Sequence, residues 1–324
     1  MIATIINKAV VQGIPLLFGS TGEIITEKSG NLNLGIPGIM YMGGSCGIIG
    51  AYLYEQSTQT PQTFWCIFIP LICAILGSTF AALIYSFLTI TLKANQNVTG
   101  LALTTFGVGF GDFFGGSMTK IFSNGGTLSV KASADCFKRT LPFADDLGAF
   151  GEIFLSYGFL VYVAIIIALV AAWFLKHTRA GLHLRSVGEN PATADAAGIN
   201  VTKYKYLATC IGGAIAGLGG LYFVMDYTGG SWTSGGFGDR GWLAIALVIF
   251  ALWRPNIGII GSFIFGGLYI AYSYISGLSR SAVAIFNMLP YVVTIIVLIL
   301  TSIRNKKENQ PPASLGLSYF REER

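Results

Sequence analysis

The chain has 324 residues, of which 53% are hydrophobic and 11% charged, with a formal net charge of +5. A soluble domain carries roughly 25% charged residues, so this chain cannot cover a water-facing surface and reads as a membrane protein with many spans. The basic excess then marks cytoplasmic loops rather than a nucleic-acid surface.

Apolar segments follow one another at about 3–21, 34–54, 64–91, 97–115, 153–175, 205–225, 240–253, 257–277 and 284–303, nine in all against a full span of roughly 20 residues. The expected fold is therefore all-α and polytopic, with some segments broken. The first segment contains Asn7, Lys8 and Gln12 and is followed by no small-residue cleavage pattern, so it is expected to be a membrane helix, not a leader. Two segments are weak. Residues 97–115 carry five glycines and Asp112, and residues 240–253 are short. Both are expected to be broken or re-entrant helices buried in protein, where irregular backbone is tolerated. The domain expectation is one transmembrane unit over 1–303, an outer loop at about 116–152 and an exposed polar tail over 304–324. Within the outer loop, "TLSVKAS" (127–133) is expected to form a short strand.

Placing residues 176–205 in the cytoplasm and alternating outward puts 13 of the 20 Lys and Arg inside, with the N-terminus outside and the C-terminus inside. Four of the five cysteines lie in apolar segments and are expected to be free, small core residues. His177 and His183 have no Cys or acid at ligand spacing, so no metal site is expected.

Four stretches hold the chemical variety. "GEIITEKSGNLNLGIPGIMYMGG" (22–44) sets Glu23, Glu27 and Lys28 before Asn31 and Asn33, and a plain cytoplasmic connection explains it as well as a functional site does. "KANQNVTGLALTTFG" (93–107) places Asn97, Thr99, Thr104, Thr105 and Phe106 on one segment. Capping and helix–helix hydrogen bonds are the plainer account, and a polar solute path the sharper one. "MDYTGGSWTSGGFGDRGW" (225–242) puts Asp226, Asp239 and Arg240 at the outer face, as a local ion pair or a docking surface. Trp232 and Trp242 there fit an interfacial aromatic belt.

The fourth stretch is "GLHLRSVGENPATADAAGIN" (181–200). Asn190 is a good N-cap, Pro191 suits the first helical position, and Gly198 can end the helix. About two turns are expected, too short to span a bilayer. Ala192, Ala196 and Ile199 can share one side, and the small alanine side chains would admit another backbone. It reads as a knob for a socket on a partner, or as an ordinary connecting helix.

These stretches, with "GLGGLYFVM" (217–225) and "FGDRGWLAIALVIFALWRPNIGIIGSFIFG" (237–266), cover most of the chain. Together they resemble the permease subunits of bacterial ABC importers, in the branched-chain amino acid and ribose permease family, nearest its nucleoside-uptake branch. The resemblance implies the type II importer fold in a bacterial cytoplasmic membrane. It implies a non-catalytic half-channel paired with a second related permease or with itself. It also implies an ATPase subunit, fused and double in the nucleoside branch, and an extracytoplasmic solute-binding lipoprotein. No cofactor is expected in this chain, ATP and Mg belonging to the ATPase. The family's coupling helix, which sits in a cleft of the ATPase, maps onto Glu189, Asn190, Pro191, Ala192, Ala194, Asp195, Ala196, Ala197 and Gly198. Asn97, Thr99, Thr104, Thr105 and Phe106 are candidates for the solute path, and Asp226, Asp239 and Arg240 for the receptor face. Pro37 in "GIPG" and the triplet Asn95, Gln96, Asn97 depart from the family pattern, leaving ribose-like sugars and branched-chain amino acids open as solutes. Outside this class, a secondary transporter would need membrane carboxylates, for which Asp112 and Asp226 are the candidates.

Overall fold

A computed structural model describes residues 2–122, 129–140, 148–275, 277, 279–304 and 310–321. Thirteen α-helices are found among them. The long ones are α1 (Ile2–Glu27), α2 (Ile36–Ser57), α3 (Thr63–Ser86), α4 (Gln96–Phe122), α7 (Phe159–His177), α10 (Val201–Tyr222), α12 (Pro255–Ile270) and α13 (Arg280–Arg304). The shorter ones are α5 (Lys131–Phe137), α6 (Gly148–Phe154), α8 (Arg179–Glu189), α9 (Pro191–Ala196) and α11 (Arg240–Phe250). A π-helical turn extends α3 through Thr91 and another extends α10 through Tyr227.

Seven helices among the described residues are long and apolar enough to cross a membrane: α1, α2, α3, α7, α10, α12 and α13, with their extensions. The expected count of nine is thus not confirmed. The two weak segments differ from the other seven, each in its own way. Residues 97–115 are not broken: they lie inside the continuous 27-residue helix α4. Its glycines do not interrupt the helix: Gly100 and Gly107 face neighbouring backbone, and Gly111 and Gly115 face the Trp232 ring. Residues 240–253 are the short α11, closed by a turn in which Leu252 and Trp253 both adopt positive φ (53° and 54°). Pro255 then starts α12, where its missing N–H leaves no bond unmade.

Burial ranks the helices. In their most apolar stretches 89% of α1 is buried but only 11% of α13, so α1, α2 and α10 form the centre and α13 the rim. Close packing at this centre needs missing side chains. A Cβ on Gly220 of α10 would fall on the Met40 carbonyl of α2, and one on Gly107 of α4 would fall on the Gly38 backbone. The rim helices turn large apolar groups outward, among them Leu76 and Phe80 on α3 and Ile166, Leu169, Val170 and Trp173 on α7.

The strand expected at 127–133 is absent where described: Ser129 makes one isolated bridge to Ser231, and α5 begins at Lys131. Residues 127 and 128 lie outside the described set. Ser133 N–H donates to the Glu55 carboxylate at 2.7 Å, which ties α5 to the end of α2. All five cysteines are free.

Candidate coupling surface and solute path

The α8–α9 turn is built by caps. Thr178 Oγ1 accepts from Gly181 N–H (3.0 Å) at the start of α8. Asn190 closes α8 through its own N–H to the Ser186 carbonyl (2.9 Å) and opens α9 through its Oδ1, which accepts from Thr193 N–H (3.0 Å). Pro191 takes the first helical position, and Gly198 ends α9 at φ +82° with its N–H bonded to the Asp195 carbonyl. Asn200 then caps α10. The inward side chain is Ala194, packed with Val187 and Val201. Glu189, Asn190, Ala196, Ala197 and Gly198 are exposed, and Pro191 and Ala192 are half-buried. Of the side expected to meet a partner, Ala196 points out and Ala192 and Ile199 are half-buried, while Ala194 points in.

The polar tail is not exposed as a whole. Residues 310–321 lie along the α8–α9 turn as a strap. Ser314 donates twice to the Gly188 carbonyl, from N–H (3.0 Å) and from its hydroxyl (2.6 Å). Tyr319 Oη–H donates to the Asp195 carboxylate (2.8 Å), which also faces Arg321 Nε at 3.3 Å. On its other side the strap meets the start of α4, where Gln96 Nε2 donates to the Leu317 carbonyl (3.4 Å) and Lys93 Nζ lies 4.0 Å from the Phe320 ring centre.

The α1–α2 connection is a buried polar hub rather than a plain loop. Glu23, Ser29, Asn31 and Asn33 are fully buried. Glu23 accepts from Asn33 N–H (3.0 Å), and Asn31 Nδ2 donates to Thr209 of α10 (3.0 Å). Leu32 N–H donates to Gln96 Oε1 (2.7 Å), while its carbonyl accepts from Tyr85. Glu27 accepts from the Trp253 indole. Helices α1, α3, α4, α10 and the α11–α12 turn thus meet at one connection. The residue types were visible in the sequence, but their partners lie 10 to 226 positions away, and no local spacing reveals that. Just beyond α1, burial lowers the pKa of Lys28; Glu189 opposes the shift, and Arg185 and Arg254 add to it.

The five path candidates differ in burial. Thr99 is buried and its hydroxyl donates to the Asn95 carbonyl (2.8 Å); Thr104, half-buried, donates to the Leu34 carbonyl (2.8 Å). Asn97, Thr105 and Phe106 are exposed, but Asn97 and Phe106, at the ends of a nine-residue interval, point to opposite sides of α4, and only Thr105 and Phe106 are neighbours. At the other end of the molecule Asp239 is exposed and Asp226 half-buried. Arg240 is not a surface cation: it is 5% exposed, with its guanidinium 4.7 to 5.0 Å from the rings of Phe223, Tyr227 and Tyr269. It donates to the Phe237 carbonyl (2.9 Å) and to Gln12 (3.0 Å), so an aromatic cage rather than a carboxylate holds it. Trp232 is likewise buried, 8% exposed, against glycines of α4, and not in an interfacial belt.

Residues 5–298 match the family described as branched-chain amino acid transport system, permease component. A nucleoside ABC transporter permease of Lactococcus lactis is 29% identical over 91% of each chain. A guanosine ABC transporter permease of Bacillus subtilis is 28% identical over 92% of each. A putative glucose ABC transporter permease of Haloferax volcanii is 33% identical over 82% of this chain and 75% of its own. With a family match along nearly the whole of a multi-pass helical chain, the protein belongs to the branched-chain amino acid type permeases, the membrane subunits of ABC transporters.

Proposed function

We propose that this permease imports nucleosides. The observation that supports this is its similarity, along more than nine-tenths of both chains, to two permeases named for nucleosides. The exposed neighbours Thr105 and Phe106 on α4 suit such a solute, offering a hydroxyl for the ribose and a ring for the base. Weak binding in each state is sufficient, because the solute must also leave. The similarity to a putative glucose permease supports a second reading, a hexose or pentose, which shares the hydroxylated ring but lacks the base. Uptake by the reconstituted transporter, measured with adenosine, guanosine, cytidine, ribose, glucose and leucine, separates the two. Nucleoside uptake with ribose and glucose excluded is expected, and transport of free sugar alone would overturn the nucleoside reading.

In this reading ATP is hydrolysed by separate ATPase subunits, a binding protein delivers solute at the Asp239 side, and a second permease completes the path. The α8–α9 turn faces the cytoplasm and α9 enters the ATPase. Motion then reaches α4 through the strap and the buried hub, since Gln96 at the start of α4 bonds to both. The charge bias toward this side of the membrane supports that orientation.

A further inference from the structure

A cavity of about 620 Å³ opens where α1 ends, α7 ends and α12 begins. Among the described residues, four basic side chains line it, Lys28, Lys176, Arg185 and Arg254, against one acid, Glu189. Arg185 Nε is shielded from solvent and bonds nothing. A desolvated donor and converging like charges cost free energy unless an anion answers them. The depressed pKa of Lys28 reflects the same burial and crowding.

The other wall of the cavity is apolar, made by Ala172, Leu175, Trp253 and Pro255. On the same helices Leu169 and Trp173 of α7 and Ile260 and Ile264 of α12 face outward. A cationic floor at the ends of membrane helices beside an apolar strip along their length is the chemistry of a phospholipid: phosphate at the interface, acyl chains against the helices. We propose that this cavity binds the phosphate of an anionic phospholipid from the bilayer. A free phosphate would satisfy the cations equally well but would leave the apolar wall unused.

The test uses the permease purified with the subunits it assembles with, examined by native mass spectrometry for bound lipid. Nanodiscs supply phosphatidylglycerol, cardiolipin or phosphatidylcholine, and inorganic phosphate is titrated in a separate arm. Retention of the two anionic lipids but not phosphatidylcholine is expected. The double change Lys176→Gln with Arg185→Gln should lower anionic-lipid affinity about 30-fold, from two interfacial charges. Lys176→Arg with Arg185→Lys should restore most of it, which separates lost charge from lost fold. Equal retention of all three lipids, or undiminished retention by the Gln pair, overturns the proposal. So does displacement of lipid by millimolar inorganic phosphate, which would assign the cations to a free anion. If the Gln pair instead releases the ATPase while lipid retention is unchanged, the cavity is a protein contact and the lipid assignment fails.

Discussion

Trp253 meets two demands at once. Its backbone sits in the left-handed region directly after another non-glycine residue in the same region, a conformation that costs on the order of 1–3 kcal/mol per residue. Its indole N–H donates to Glu27, a carboxylate only 4% exposed. The bond offsets the backbone cost and gives the buried acid a donor. Trp253→Phe should keep an aromatic ring but remove the indole donor from Glu27, lowering stability by about 1–3 kcal/mol. A fall in the thermal midpoint of the purified permease, restored in part by Glu27→Gln in the same chain, would be the signature; an unchanged midpoint would refute the role. The sequence displayed both residues but not their pairing. Glu27 reads as part of a polar turn because its neighbours are polar, and only the tertiary fold brings Trp253 over it.

At the scale of elements, α9 was the most legible piece. Its start, its first proline and its stop are all written in side chains that act on their own backbone within three residues, so local chemistry suffices. Which face it hides was not legible, because Val187 and Val201 on the flanking helices decide that. The two faces make opposite predictions. Ala194→Leu should overpack a filled site and cost about 1–3 kcal/mol of permease stability. Ala196→Trp, pointing outward, should leave the thermal midpoint unchanged while ATPase recovered in pull-down falls several-fold. The strap was illegible for a different reason: a short polar segment after the last membrane helix looks solvated unless its partners, more than 120 positions upstream, are known. Arg321 is largely exposed, and its ion pair contributes at most about 1 kcal/mol. Tyr319, half-buried, carries more. Tyr319→Phe with Arg321→Ala should preserve ATPase binding but reduce the stimulation of ATP hydrolysis by receptor and solute; full stimulation in that variant would exclude the strap from transmission.

For the molecule as a whole, hydropathy revealed the membrane class and the long spans, because mean apolarity over about 20 residues reports the bilayer directly. It misjudged α4, in which glycine lowers the apolar average without breaking the helix. One of those glycines, Gly107, is where α4 and α2 touch backbone to backbone. Gly107→Val should therefore force the two helices apart at Gly38 and abolish recovery of folded permease in detergent. Gly109→Ala, with open space around it, should be tolerated; equal recovery of both variants would disprove the close contact.

The strap also sets a sequence of events in biosynthesis. Residues 310–321 leave the ribosome only after every membrane helix described has been made. The flank of α9 is thus covered after those helices, by a segment that folds back along the α8–α9 turn. If α9 enters the ATPase as proposed, an ATPase that reads α9 and the strap together would recognise permeases whose described helices are all in place. The proposed coupling surface would then double as a mark of completion.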